Sequence, residues 1–346
     1  MSIRNHIKLA KCFFDNIILK KATPYMLIFE PSQLCNCRCE FCYHWKEPTT
    51  NELTKEEITS VLRQAYKLGC GYLLLNGGEP TIAKHFMHTL KTAKSIGYSI
   101  SITTNGSTLA EKASEIAPYL DNLTISLDYP DSRHDSERKL PGLFNKIVSG
   151  IRISKTYIKN IKLNYSIHRD NADLIDATIS LAEQLGVGIY FRLLIQEKTG
   201  DDDSYKLVIT DKEEIKRIAR KLIMLKRKGK PIVSSYCYLK HLAEFRQFTC
   251  RLSQFLIHID AQGRVYNACP KHEGNKDYIY GNIREQPLAQ IWFSKKAQLA
   301  RKQALNCKPN LNCYTACIIE PASVLKPDLG FWIEQFTTMS HLEQFF

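Results

Sequence analysis

No stretch of this chain runs for the roughly 18 apolar residues that a membrane-spanning helix needs. Its basic N-terminus, Met1–Lys21, has neither the uninterrupted apolar core nor the small-residue cleavage site of a secretory signal. The expected location is the cytoplasm. Acidic side chains are in short supply: 35 Asp and Glu against 48 Lys and Arg leave a formal net charge of +13. That balance suits an anionic partner or a lysine-rich solvated surface. No Arg/Lys cluster interleaved with aromatics gives a firm nucleic-acid signal. Internal repeats, low-complexity tracts, a methyltransferase-like glycine fingerprint and a cobalamin-binding segment are all missing.

What remains is the composition of a globular protein. The 346 residues are 44% hydrophobic and 24% charged, enough for about two domains at ~150 residues each. A chain this long buries a core without disulfides. Its 12 cysteines are grouped, four within Cys35–Cys42 and five within Cys250–Cys317. Grouped thiols without an export signal point to metal in a reducing compartment. Cys12 and Cys70 stand singly in predicted helical segments and read as core.

Short apolar strands alternate with amphipathic segments from Tyr25 to Ile195. Strands are predicted at Tyr25–Phe29, Tyr72–Leu75, Tyr98–Thr103, Leu123–Leu127, Ile161–Ile167 and Gly188–Leu194. Helices are predicted at Lys55–Leu68, His85–Ile96, Leu109–Leu120, Leu143–Tyr157 and Leu174–Leu185. Such alternation implies a parallel sheet with right-handed crossovers, here a partial (β/α)6 TIM-like barrel with its site at the strands' C-terminal ends. After a polar break at Thr199–Tyr205 comes a basic helix, Lys212–Arg227. A hairpin follows at Phe255–Asp260 and Arg264–Asn267, then short helices at Leu288–Phe293 and Lys295–Ala304. The expected fold class is α/β, a partial barrel followed by a small α+β domain. The expected segments are 1–24, an amphipathic helix; 25–200, the barrel; 201–233, linker and basic helix; 234–322, the second domain; and 323–346, a tail.

The first cysteine group, Cys35-Asn-Cys37-Arg-Cys39-Glu-Phe41-Cys42-Tyr43, follows the first strand directly. Cys35, Cys39 and Cys42 have CxxxCxxC spacing. Three thiolates on a short loop hold three irons of a [4Fe–4S] cluster and leave the fourth open. With Cys37 included, four cysteines also fit a closed cluster or a zinc site. After the second strand comes Asn76-Gly77-Gly78-Glu79-Pro80, where paired glycines let backbone approach a ligand or make a tight turn. After the third comes Thr103-Thr104-Asn105-Gly106, also readable as a helix cap. After the fourth come Ser126-Leu127-Asp128, His134-Asp135 and Arg138.

This series resembles the radical S-adenosylmethionine (SAM) superfamily: CxxxCxxC with an aromatic, Phe41, before the last cysteine, then GGEP, TNG and the SLD…HD..R signature of the SPASM/Twitch subgroup. The resemblance implies that Cys35, Cys39 and Cys42 are the catalytic cluster's ligands. It implies SAM contacts from Phe41, Tyr43, Gly77, Gly78, Glu79, Pro80, Thr104, Asn105, Ser126, Asp128 and Arg138, with Ser126 and Arg138 on the SAM carboxylate. The subgroup has glycine after this Asp and after this Arg; Tyr129 and Lys139 stand here instead.

The second group, Cys250, Cys269, Cys307, Cys313 and Cys317, with Gly281-Asn282-Ile283 and Ile291-Trp292, looks like a SPASM/Twitch domain. The subgroup's cysteine three residues before Cys307 is Ala304 here. Six cysteines from Cys237 onward are too few for two four-thiolate clusters. One auxiliary [4Fe–4S] cluster is expected, held by four of the five, with Cys250, Cys269, Cys313 and Cys317 first and Cys237 in reserve. Zinc is the other reading.

The resemblance implies an enzyme that cleaves SAM reductively to a 5′-deoxyadenosyl radical and abstracts hydrogen from a peptide or small metabolite such as a sugar. The outcome would be oxidation, epimerisation or C–C/C–S bond formation, with flavodoxin or ferredoxin as reductant. Only 34 residues precede Cys35, too few for a fused leader-peptide recognition domain. Asn5–Lys20 reads as a basic amphipathic helix with Ile7, Ala10, Phe14 and Ile17–Ile18 on one side. That side either packs on the barrel or meets a membrane surface, which would suit a lipid substrate. A non-catalytic metalloprotein with two structural sites is the remaining alternative.

Overall fold

The computed structural model describes residues 2–47, 49–195, 204–267, 269 and 278–325. Most of the predicted polar break and the tail from 326 onward lie outside them.

Helix α1 (Ile3–Ile17) opens the chain, capped by the Ser2 hydroxyl, which accepts from the Asn5 amide. The barrel follows as β1 (Met26–Phe29), α2 (Lys55–Leu68), β2 (Tyr72–Leu75), α3 (Phe86–Ile96), β3 (Ser99–Thr104), α4 (Leu109–Ile116), β4 (Asn122–Ser126), α5 (Arg133–Arg138), α6 (Leu143–Ser154), β5 (Ile161–Ile167), α7 (Ile175–Leu185) and β6 (Gly188–Leu193). Each strand pairs in parallel with the next, as the alternation predicts. Local chemistry sets the helix ends. Thr54 and Glu57 form a capping box at the start of α2, and Gly69 ends it at φ 133°. Between them Ile58, Val61, Leu62 and Ala65 are buried; each large apolar side chain so covered stabilises by ~1.5–3 kcal/mol. α4 stops short of the predicted Leu120. Pro118 cannot donate the next helical bond, and the chain tightens into a 3-10 turn at Ala117–Tyr119. Cys70 is buried as expected but lies just beyond α2 rather than in a helix.

The remaining elements are α8 (Ser204–Leu207), α9 (Lys212–Arg227), α10 (Tyr236–Glu244), α11 (Leu252–Phe255), β7 (Leu256–Ile259), β8 (Arg264–Tyr266), β9 (Ile279–Asn282), α12 (Leu288–Trp292), α13 (Lys295–Asn306) and α14 (Ala316–Val324). The predicted hairpin is not a separate layer. β7 pairs in parallel with β1, from Met26↔Leu256 to Phe29↔Ile259, and β8 and β9 add on antiparallel. The result is one nine-stranded sheet in the order β6-β5-β4-β3-β2-β1-β7-β8-β9. Helix α14, unforeseen in the sequence, bridges β6 and the junction of α11 with β7. The Thr315 hydroxyl donates to the Leu193 carbonyl on one side, and Ile318 and Val324 pack with Leu252, Phe255 and Leu256 on the other.

α1 packs the opposite way from a helix that adds its apolar side to a core. Asn5, Leu9, Cys12, Asp15 and Asn16 are buried, while Ile3, Ile7, Phe14 and Ile18 are exposed. The reason is polar complementarity. Asn5 Nδ2 donates to the Gly97 carbonyl and Ser99 Oγ, both at 3.0 Å, and Asn16 Nδ2 to the Thr23 and Cys12 carbonyls.

Candidate active site

The C-terminal ends of the barrel strands frame a cavity of about 640 Å³. Cys35, Cys39 and Cys42 line it, with Phe41 and Tyr43 beside them. The loop that carries them is clamped by the three turns that the sequence singled out. The Gly78 and Glu79 amides donate to the Ser32 and Leu34 carbonyls, at 3.1 and 2.8 Å. Asn105 Nδ2 donates to Asn36 Oδ1 at 2.7 Å and to Cys37 Sγ at 3.3 Å. The Arg38 amide donates to the Arg138 carbonyl at 3.0 Å. Gly78 is required by this approach: a Cβ there would lie 2.3 Å from the Leu34 carbonyl oxygen.

Glu79 ties β2 to β3. Its Oε1 accepts from the Thr81 amide and hydroxyl and from the Thr104 hydroxyl, and its Oε2 accepts from the Asn105 amide. Oε2 keeps capacity for one further donor. Gly77, Gly78, Glu79, Thr104, Asn105, Ser126 and Arg138 all line the cavity; the buried Pro80 and Asp128 do not. Asp128 stands behind Arg138. Its Oδ2 accepts from Arg138 Nε at 2.8 Å and Nη2 at 2.6 Å, and its main-chain amide donates to His134 Nδ1. The expected HD element is structural in the same sense: Asp135 accepts from the Gly142 and Phe144 amides at the start of α6. Lys139 takes the left-handed conformation at φ 52°, the conformation that a glycine adopts most readily.

Cys37 also faces the cavity. Its hydrogen bonds with Cys35 and Cys39 push its own thiol up and draw both neighbours below the usual thiol range.

Several cavity residues were missed in the sequence. Lys162 and Asn164 of β5 and Tyr190 and Arg192 of β6 point inward. Their signal was polar side chains at every second position of strands otherwise read as buried. Burial lowers the Lys162 ammonium to about 8, against the nearby Glu320 carboxylate of α14; burial raises Glu320 itself. On the other side, Glu30 at the end of β1 accepts from Gln33 Nε2 at 2.6 Å and pairs with His258 Nε2 of β7 at 2.8 Å. Burial alone would raise this carboxyl, but His44 and His258 hold it down at about 2.

A second cavity of about 210 Å³ is lined by Cys250, Cys269, Cys307 and Cys313. Cys317, preferred from the sequence over Cys307, lines the larger cavity instead. The turn Leu311–Cys313 points Cys313 inward, and Cys317 follows on the first turn of α14. Cys269 borders both cavities. Cys237 borders neither, and its sulfur lies 3.2 Å from Ser323 Oγ. Among the described residues no three His, Cys, Asp or Glu side chains are gathered closely enough to hold a single metal ion; what each thiol group shares is a cavity.

The profile of the Radical SAM superfamily matches residues 29–182, and that of the SPASM iron–sulfur cluster-binding domain matches residues 250–317. The chain is a radical SAM enzyme. It is 24% identical over 302 residues to the AdoMet-dependent heme synthase of Methanosarcina barkeri, covering 81% of this chain and 84% of the relative. It is 34% identical over 159 residues to a probable GTP 3′,8-cyclase of Saccharolobus solfataricus, covering 44% of this chain and 51% of the relative, so that similarity spans about half of the cyclase. Its fold is that of native anSMEcpe with bound AdoMet and Cp18Cys peptide (TM-score 0.66, 16% identity, 93% of this chain and 99% of the other). It is likewise that of Streptococcus suis SuiB bound to precursor peptide SuiA (TM-score 0.66, 17% identity, 84% and 68%).

The cofactors of this radical SAM enzyme are SAM, a SAM-binding [4Fe–4S] cluster and auxiliary iron–sulfur in the SPASM domain. The residues fit them. Thiol donors suit iron–sulfur clusters, three of them at CxxxCxxC spacing line the large cavity, and the glycine backbone beside them has no Cβ in the way.

Proposed function

We propose that this enzyme generates a 5′-deoxyadenosyl radical from SAM and uses it to abstract hydrogen from an unactivated C–H bond of a peptide or small metabolite such as a sugar. The observation that carries this reading is the continuity of one cavity. It runs from the cysteine loop to Lys162, Asn164 and Arg192 on one side and to His258, Tyr266 and Cys269 on the other.

Cys35, Cys39 and Cys42 would hold the SAM-binding cluster, and Cys250, Cys269, Cys307 and Cys313 a single auxiliary one. When bound and reduced, the first cluster supplies the electron that cleaves SAM. The protein's part is orientation. Gly77 and Gly78 would open their backbone to the cofactor, and Glu79 Oε2, with capacity for one further donor, would accept from its amino group. Arg138 and Ser126 face its carboxylate, and Asp128 holds Arg138 in place. His258 Nε2, paired with Glu30, fixes a polar edge on the same cavity. The electron comes from a partner such as flavodoxin or ferredoxin. Relatives named for porphyrin and nucleotide chemistry and a fold relative seen with a precursor peptide support both sizes of substrate.

The test is production of 5′-deoxyadenosine by reduced, reconstituted enzyme under anaerobic conditions. A low-molecular-mass cell extract should stimulate it, and protease treatment of that extract separates peptide from metabolite. Absence of SAM cleavage in protein with full iron content would overturn the reading.

A further inference from the structure

Helix α1 turns its apolar stripe away from the protein. At about 100° per residue, Ile3, Ile7, Ala10, Phe14 and Ile18 fall on one side. Ile3, Ile7, Phe14 and Ile18 are 78%, 63%, 51% and 58% exposed. Leu19, just beyond, is 56% exposed. The opposite side is the one that docks, through the polar contacts of Asn5 and Asn16 described above. A solvent-facing stripe of this kind is not explained by the stability of the barrel, and contiguous exposed apolar surface marks an interaction site.

One flank of the stripe is basic. Arg4 and Lys11 border it and are exposed, and Lys20 and Lys21 follow at its C-terminal end. Asp15 is the only acidic residue among the first 21. It is buried and accepts from Lys11 and from the Thr23 hydroxyl, and the Lys11 side chain remains 61% exposed. Among the described residues no helix is long and apolar enough to cross a membrane. α1, at 15 residues, has the length and pattern of a helix that lies along a bilayer surface.

We infer that α1 seats the enzyme on an anionic phospholipid surface, with Ile3, Ile7, Phe14 and Ile18 in the acyl boundary and Arg4, Lys11, Lys20 and Lys21 among the headgroups. Charge favours lipid over a second copy of this chain, which would bring basic flanks together. The docking also fixes an orientation. α1 contacts Gly97 and Ser99, where β3 begins, and Asn5 lies beside Gly71, just before β2. It therefore sits at the strands' N-terminal ends, opposite the cysteine loop, so that loop lies on the side away from the membrane. The contact anchors the enzyme without requiring a lipid as substrate, and it stands independently of the reaction proposed above.

Flotation of the reconstituted full-length enzyme tests this. Vesicles of phosphatidylcholine with phosphatidylglycerol should carry it upward, vesicles of phosphatidylcholine alone much less, and added salt should release it by screening. Ile7→Glu with Phe14→Glu should weaken the partition by about tenfold or more, the scale set by losing two buried apolar side chains. SAM cleavage without vesicles should be unchanged in that variant, since neither side chain reaches the cavity. Four results would overturn the inference, the first three being wild type that ignores phosphatidylglycerol vesicles, a variant that floats as well as wild type, and binding that appears only when residues 326–346 are removed. The third would make that segment the occupant, because Leu325 already packs with Leu9 and Cys12. The fourth, a dimer that the same double substitution dissolves, would assign the stripe to a second copy.

Discussion

Arg138 and Asp128 form a buried pair at 2.6 Å, with side chains 9% and 0% exposed. The guanidinium faces the cavity, and the carboxylate stands behind it. The pair therefore has two roles, and substitutions separate them. Arg138→Ala leaves Asp128 charged and unpaired in the interior, which destabilises by about 3–5 kcal/mol. The double substitution Arg138→Met, Asp128→Leu removes both charges and should recover most of that loss. It should not recover SAM affinity, which falls about tenfold to hundredfold when a hydrogen bond to a charged group is lost. Thermal melts and equilibrium binding of SAM to the oxidised enzyme read the two effects. If the double variant binds SAM like wild type, Arg138 is only a structural cation.

Cys35→Ala, Cys39→Ala and Cys42→Ala should each abolish SAM cleavage and lower the iron content by about four, the share of one [4Fe–4S] cluster. Cys37→Ala should do neither, because the Cys37 sulfur is engaged by Asn105. Loss of the cluster in Cys37→Ala alone would favour the closed four-thiolate site.

The auxiliary site makes a sharper distinction. Cys307→Ala should remove about four irons and Cys317→Ala none, on the basis that a [4Fe–4S] unit takes four thiolates and that Cys307, not Cys317, borders the second cavity. Elemental analysis after anaerobic purification decides, and zinc in place of that iron would sink the assignment.

His134 supplies a pH signature. Burial, with Arg138 next in effect, pulls its imidazole from 6.5 to about 3. The unfolded chain thus binds a proton that the folded protein refuses between those values. Stability contributed by the neutral ring is complete above about 6.5 and is lost as the pH falls toward 3, at no more than about 1.4 kcal/mol per pH unit. His134→Asn should flatten the dependence of urea midpoints in this window. An unaltered slope would mean that the ring is protonated in the fold.

Gly78→Ala should cost the enzyme its loop rather than its barrel. The added methyl meets the Leu34 carbonyl at 2.3 Å, so the clamp on the cysteine loop must open. Iron retention should fall while the melting transition moves little; full iron content would show that the turn has room.

The barrel and its four turns were legible because each repeats the same grammar: a short apolar strand, a turn with Gly, Asn or Ser, then an amphipathic helix. The lysine of β5 and the arginine of β6 were passed over because strands were read for apolar content alone. α14 escaped for a different reason. It is apolar on nearly all sides and holds Pro321, which reads as a helix breaker; it is tolerated where packing against β6 and α11 decides. α1 was read with the correct stripe, but its direction depends on carbonyl and hydroxyl groups at Gly97, Ser99 and Thr23, which no local pattern announces. The choice between Cys307 and Cys317 rests on a turn and a helix start rather than on spacing.

The pairing of β1 with β7 has a consequence in time. Glu30 and His258 meet across 228 positions of chain. A nascent chain therefore presents its cysteine loop long before the strand that walls that side of the cavity has been made. Until then β1 offers a bare edge of the kind that invites misassociation, and contacts of such long sequence separation close slowly. Iron delivered at that stage would enter a half-built vessel. A late-made part of the protein is thus the seal on its reactive centre, and oxygen-sensitive loading is best deferred until that strand is in place.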